Sequence, residues 1–529
     1  MFAVGVVTFF ILITLLGIYV SKKVTNAADY YVAGRNASTV LIVGSLVASV
    51  VSSVGFTGEV GFAYDGYPIL LAIFIMIMCS GYVLGTIMFG KYLRRSEALT
   101  LPEFFGNRFQ SKKVQVAASI TVIVGITAYL VSVAQAGTII LADILGINYV
   151  LALIIMWLVY TTFTFLSGAK GVLVTDTFMF FLFFIASVIS VPVILMATGG
   201  WPDAFINSVA QQGREGVFNW HGITGEGAYM GTKSEVLIWV ITMAISWAFV
   251  TAISPWQTSR YLMAKNEHVI LRAGMLAPIP MLIIYLFLHS TMATLPLIKP
   301  EITNSESAYI WAAQNILPMW MGVIVVSGIM AAVLSSCSTF LQLIGNTIAR
   351  DIIPNKNLSD KKVLNLAKAS MLIASVIVLI IGLKPPTSVM WLAYSAATMF
   401  AASWGPMALA SIYSKKVTKT AAFWSILLGL FGVLVGEALK LFGLTLPLFL
   451  PPVIIGTILS ITSLVLISKL TNVTEEERLE REKLFVIPES MYDSKELAIT
   501  KRYPLFMIIS GVGLIAITFV YYYLPVHLM

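Results

Sequence analysis

The sequence predicts an all-α integral membrane protein with about 14 spans. Three observations carry this: the composition, the spacing of the apolar runs, and the side on which the cations fall. Of 529 residues, 58% are hydrophobic and only 11% charged, and the mean hydropathy is +0.91. A soluble domain is typically about a quarter charged. Lipid is therefore the main solvent, and runs of about 20 apolar residues are the structural unit. A soluble enzyme, a nucleic-acid-binding protein and a disulfide scaffold are excluded together. Cys79 and Cys337 both lie inside apolar runs and read as small buried residues.

Runs long enough to cross a bilayer fall at roughly 2–20, 38–63, 68–90, 115–143, 149–167, 172–198 and 235–255, then at 270–296, 318–348, 365–383, 387–413, 418–440, 448–468 and 504–526. Most mix Gly, Ala, Ser and Thr with Leu, Ile and Val, as close-packed membrane helices do. The first run has no cation before it and is followed by Lys22 and Lys23, the reverse of a cleaved signal, so it is expected to be retained.

With both termini placed outside, the outer loops hold Arg214, Lys233, Lys299, Lys384 and Lys440, leaving 28 of the 33 lysines and arginines on the inner side. This bias sets orientation and supports the span count, because a miscounted span would scramble it. Residues 199–234 are an outer loop expected to fold over the outer face. Residues 471–503 are a charged inner linker whose mixed-sign run (Glu475, Glu476, Glu477, Arg478, Glu480, Arg481, Glu482, Lys483) reads as a solvated helical face.

The second and seventh spans carry helix-weakening residues. The second has Ser52-Ser53, Gly55, Gly58 and Gly61; the seventh has Ser246-Trp247 and then Ser254-Pro255, where the proline removes a donor. The two interrupted spans are five apart. Five is odd, so a five-helix repeat is inverted in its second copy. Paired broken helices in inverted halves mark a secondary transporter's binding site. The halves are 38–198 and 235–413, with residues 1–37 and 414–529 peripheral.

The stretch Ala48 to Tyr64, ASVVSSVGFTGEVGFAY, resembles the first core helix of the sodium/solute symporter family. Further likenesses follow in order along the chain: Leu101-Pro102-Glu103-Phe104 with Arg108-Phe109, Gly168 to Asp176, Arg260-Tyr261 with Ala264-Lys265, Ala332 to Ser336, and Gly405-Pro406. The resemblance implies a LeuT-like five-plus-five inverted repeat and sodium-coupled uptake. It also implies a sodium site made of the carbonyls of Ala48, Val51 and Ala332 and the hydroxyls of Ser335 and Ser336, with Asp176 assisting ion release to the cytoplasm. An acid within a span is functional by default; the alternative for Asp176 is a wetted helix-end carboxylate paired with Lys170. Two departures stand out. Met179 replaces a frequent family glutamine, and Val50 stands where the proline-transporting branch has an aspartate.

The solute is expected between the two breaks, near Ser52, Gly55, Glu59, Phe74, Trp247 and Thr251. Gly55 and Phe74 stand where sugar-transporting relatives carry Gln and Glu, which disfavours a polyol. With no Lys or Arg counted mid-span, an anion has to be held by the ion and by backbone donors of a broken helix. The expected cargo is a small organic acid, amino acid or vitamin-like carboxylate. The alternative is a cationic or zwitterionic solute using Glu59, whose bland reading is a hydrated acid near the outer interface. A channel lacks a filter or charge ring, a sensor lacks a following domain in the 529 residues, and scattered histidines argue against an enzyme. The expected partners are thus sodium, the solute and the lipid bilayer of the cell membrane, with the monomer as the working unit.

Overall fold

The computed structural model describes residues 2–21, 31–353 and 359–528. Lys22, Lys23 and Lys356, assigned above to inner loops, lie outside these residues, as does the side chain of Lys170. The described chain is helical throughout its long elements. Helix α1 is Phe2–Ser21, α2 Thr39–Phe56 and α3 Gly58–Tyr64, followed by α4 (Pro68–Gly85), α5 (Leu101–Arg108), α6 (Lys112–Leu145) and α7 (Tyr149–Ala197). The short outer helix α8 (Asp203–Ala210) precedes α9 (Lys233–Ile253), α10 (Pro255–Met263) and α11 (Glu267–Leu276). Then come α12 (Ala308–Asn315), α13 (Met319–Asn346), α14 (Asp360–Gly382), α15 (Val389–Tyr413), α16 (Lys419–Leu441) and α17 (Pro452–Leu470). The linker carries α18 (Glu475–Lys483) and α19 (Ser494–Thr500), and α20 (Tyr503–Thr518) begins the last apolar helix.

Among the described residues, twelve helices are long and apolar enough to cross a membrane. Of the 14 expected runs, the other two are α1, whose apolar part is only Val4–Tyr19, and α15. Helix α13 is the most enclosed span, with 89% of its apolar window buried, whereas the C-terminal span has 11%. The core therefore sits around α2, α6 and α13, and the last helices face lipid.

Both interrupted spans break, at specific residues. In α2 the ladder fails at Ser52, which has φ 37° and ψ −175°. A non-glycine residue there is uncommon and costs of the order of 1–3 kcal/mol, which the surrounding packing has to offset. The helix pauses again at Thr57 before α3. In the seventh span the break is confined to Ser254, extended at ψ 152°, because Pro255 pushes its predecessor out of the helical region. Helix α9 runs unbroken through Ser246-Trp247. Pro255 then occupies the first turn of α10, where its missing donor costs nothing.

Helices α4 and α9 approach each other very closely. A Cβ on Gly81 of α4 would lie 2.1 Å from the Ala248 carbonyl oxygen of α9, and one on Gly85 would lie 2.6 Å from Ala252 Cα. Only glycine lets these backbones touch.

The linker differs from expectation. Glu477 is fully buried, closing a capping box with Thr474 and accepting from the Lys419 amide at 2.6 Å. Arg108 donates to the Glu477 carbonyl at 2.9 Å, Arg95 to that of Leu484 at 3.0 Å, and Arg272 to that of Glu496 at 2.7 Å. One face of the run is solvated; the other is fastened to the inner ends of the spans.

Candidate functional site

Asp176 lies where α2, α7, α10 and α13 meet. It is fully buried and is not a wetted helix-end acid. Its Oδ2 accepts from Ser45 Oγ of α2 at 2.8 Å and from Arg260 Nη2 of α10 at 2.8 Å. Its Oδ1 accepts from Ser335 Oγ of α13 at 2.6 Å. Arg260 also donates to Ser45 Oγ and to Thr339 Oγ1, each at 2.8 Å.

Arg260 corrects the loop assignment made from charge. It is 3% exposed, because the helix restarts at Pro255 and carries the chain through Met263 inside the same span. Counting cations as loop residues placed it outside the bundle; it is a cation within a span, and its partner is Asp176.

Of the five expected sodium ligands, all are fully buried: Ala48, Val51, Ala332, Ser335 and Ser336. Ala48 lies one turn beyond Ser45, and Val51 directly precedes the break at Ser52. Ser336 Oγ has no hydrogen-bond partner, and an orphaned buried hydroxyl costs about 1–3 kcal/mol unless a ligand satisfies it. Ser335 donates its proton to Asp176, which leaves its lone pairs free to face a cation. The set is neutral oxygen chemistry with one carboxylate behind it.

The inner halves of the broken helices are joined by Gln257 of α10, whose Nε2 donates to Ser49 Oγ at 3.2 Å and to the Leu46 carbonyl at 3.3 Å. Next to this junction lies a cavity lined by Thr100, Pro102, Arg260, Thr339 and Asn346 among others.

Between the breaks, buried aromatic rings pack together. Phe74 of α4 stacks on Tyr394 of α15 at 5.3 Å, and Trp247 of α9 sits 5.1 Å from Tyr394 and 6.1 Å from Phe74. Tyr129 of α6 closes the inner end against Trp247 and Trp256. Trp247 Nε1 is a buried donor without a partner. Ser52 Oγ accepts from the Val54 amide at 3.2 Å. Thr251 is fully buried one turn beyond Trp247, and its hydroxyl donates to the Trp247 carbonyl of its own helix at 2.8 Å.

Glu59 is no interfacial acid. It is 4% exposed, accepting from Tyr394 Oη at 2.8 Å on Oε1 and from Tyr285 Oη on Oε2. The neighbouring His289 bonds through Nε2 to the Gly55 carbonyl at 3.0 Å. Sequence reasoning missed Tyr285, His289 and Tyr394, since polar aromatics in apolar runs resemble ordinary packing residues.

The outer end is covered. A Cβ on Gly58 would lie 2.8 Å from the Met390 backbone, and one on Gly61 would lie 2.8 Å from Ser305. Ser305 Oγ donates to Asp65 Oδ2 at 2.8 Å, and Glu306 Oε1 accepts from the Val389 amide at 2.8 Å. Burial pushes the Glu306 carboxyl up to about 7 and raises Asp65 above the usual carboxylate range.

Comparison with known proteins matches this architecture. A family model described as the sodium:solute symporter family matches residues 30–429. The sodium/proline symporter of Escherichia coli (strain K12) is 23% identical over 457 residues, covering 81% of this chain and 86% of that protein. That of Staphylococcus aureus (strain bovine RF122 / ET3-1) is 23% identical over 492 residues, covering 88% and 92%. A Na+-coupled sialic acid symporter, solved substrate-bound and outward-open, superposes with a TM-score of 0.75 at 17% identity, covering 89% of this chain and 97% of that one. The LeuT-like fold follows from that superposition.

Proposed function

The chain belongs to the sodium:solute symporter family, and from that premise we propose that it imports a small organic solute bearing a carboxylate, by alternating access. Sodium is the coupling ion. The cargo is an organic acid, an amino acid or a vitamin-like carboxylate. The observation that carries the reading is the unpartnered Ser336 hydroxyl, buried on the helix that packs against the broken α2. An ion there takes oxygens from Ala48, Val51, Ala332, Ser335 and Ser336. It neutralises a carboxylate at the Ser52 break, where the exposed amides of a broken helix add donors. The Trp247 indole supplies a further unsatisfied donor, and Gly55 and Phe74 bound the same chamber.

Asp176 holds Ser335 in its ligand orientation, and release to the cytoplasm follows when Arg260 and Asp176 part. Access changes through the breaks at Ser52, Thr57 and Ser254, while α4 of the half 38–198 and α9 of the half 235–413 stay packed together. The protein works as a monomer in the cell membrane with both termini outside, the orientation favoured by the cation bias. The test is uptake into proteoliposomes under an imposed sodium gradient, after a thermal-shift screen of organic acids, amino acids and vitamins with and without sodium. Accumulation that persists without the gradient overturns the reading.

A further inference from the structure

We propose that the roof of the aromatic chamber is a binding site for a cationic nitrogen, formed by the Glu59 carboxylate with the hydroxyls of Tyr285 and Tyr394, so that the solute carries an ammonium as well as its carboxylate. The inference rests on the carboxylate-symport reading and narrows its cargo.

Glu59 is buried on the outer half of the broken helix, with both oxygens accepting tyrosine hydroxyls. Among the described residues, no lysine, arginine or histidine pairs with it. A buried carboxylate is costly unless a cation compensates it, so the missing partner is the ligand.

The surroundings are rich in acceptors and poor in donors. His289 faces the Gly55 carbonyl through Nε2, which must therefore carry the proton. Its Nδ1 is then a lone-pair acceptor, and it is buried without a partner. The His289 ring lies 4.5 Å from that of Tyr285, within the same cluster. Tyr394 extends the site into the chamber, its ring packed against Phe74 and Trp247; faces of this kind attract a cation through their quadrupoles.

Gly55 lets the helix backbone approach the carboxylate closely. A Cβ there would lie 3.1 Å from Tyr285 Oη and 3.3 Å from the Glu59 Oε2 atom. The two tyrosine hydroxyls are neutral donors and bring no charge against the carboxylate. A nitrogen cation brings that charge, and as an ammonium its own donors as well. The unpartnered Trp247 donor, on a ring packed against Tyr394, gives a zwitterion one complementary group for each charge.

The experiment uses matched pairs of probes on the purified full chain in sodium: L-alanine with propionate, L-proline with cyclopentanecarboxylate, and glycine betaine with 3,3-dimethylbutanoate. At least one nitrogen-bearing member is expected to raise the melting temperature, and its carbon-only partner is not. Glu59→Gln is expected to raise the half-maximal concentration at least tenfold while stabilisation by sodium alone persists. Tyr394→Phe, which keeps the ring and removes one donor, gives an intermediate loss and checks the site if Glu59→Gln folds poorly. Equal responses to both members of each pair, a parent-like response in both variants, or a response that follows pH instead of the nitrogen overturns the proposal. Stabilisation by sodium with no response to any of the three zwitterions also overturns it and leaves the symport reading standing. Loss of sodium stabilisation in the parent itself removes that reading first.

Discussion

Arg260 Nη2 and Asp176 Oδ2 lie 2.8 Å apart, fully enclosed, and tie the inner half of one broken helix to a span of the opposite repeat. The same carboxylate holds Ser335, so the strut between helices and the orientation of a proposed ion ligand share one group. Breaking a buried pair from one side leaves an uncompensated charge, at about 3–5 kcal/mol. Arg260→Met is therefore expected to destabilise the protein by about 3 kcal/mol. Asp176→Asn in that background should restore at least about 1 kcal/mol, a non-additivity read from a double-mutant cycle of melting curves. Strict additivity would mean that the two groups act separately.

Ser336→Ala should raise the sodium concentration for half-maximal uptake roughly tenfold, since one good ligand is worth about 1–2 kcal/mol. Solute affinity should fall with it, because coupling between the sites is reciprocal. Unchanged sodium dependence in both Ser335→Ala and Ser336→Ala, with normal expression, removes the assignment.

Orientation is testable with single cysteines. One placed at Thr471 or Asp493 should react with impermeant reagents only from the cytoplasmic side, and one at Ile223 only from outside. Labelling at Asp493 from outside would invert the C-terminal region.

Glu306 makes the outer cover pH-dependent. Its carboxyl sits at about 7 when the 305–315 segment is seated and returns to its ordinary range near 4.3 when released. A group raised in the seated state favours that state fully below the ordinary value and loses the preference as pH climbs through the raised one. Asp65, also raised by burial, acts with the same sign, while Arg214 beside it opposes the shift. Hydrogen exchange in residues 305–315, corrected for intrinsic rates, should show several-fold more opening at pH 8 than at pH 5. Glu306→Gln, which keeps an acceptor for the Val389 amide, should flatten most of that difference; the reverse slope would contradict it.

The spans and both broken helices were legible because lipid imposes long apolar runs, and because Ser-Ser and Ser-Pro weaken helices wherever they occur. The exact breaks were less so. Gly55, Gly58 and Gly61 all invite a break, yet the strained backbone falls on Ser52, a choice the local propensities do not make. Arg260 was misplaced because charge alone does not say whether a helix resumes after a proline. The linker's fastening was hidden for a related reason: Glu477 and its solvated neighbours share one composition, and only the fold decides which faces inward. Tyr285 and Tyr394, over a hundred residues apart, are made one site only by folding.

The Gly81 and Gly85 contacts bear on how the chamber changes shape. Helices α4 and α9 belong to opposite repeats, yet their backbones touch with no room for a methyl group, so neither can slide past the other without losing that seam. They travel as one lever, and Phe74 and Trp247 ride on it together. Under the alternating access proposed above, the wall that bears Phe74 and Trp247 thus keeps a constant face toward the solute. The joints at Ser52, Thr57 and Ser254, with the facing wall that bears Tyr129, must supply all of the yielding.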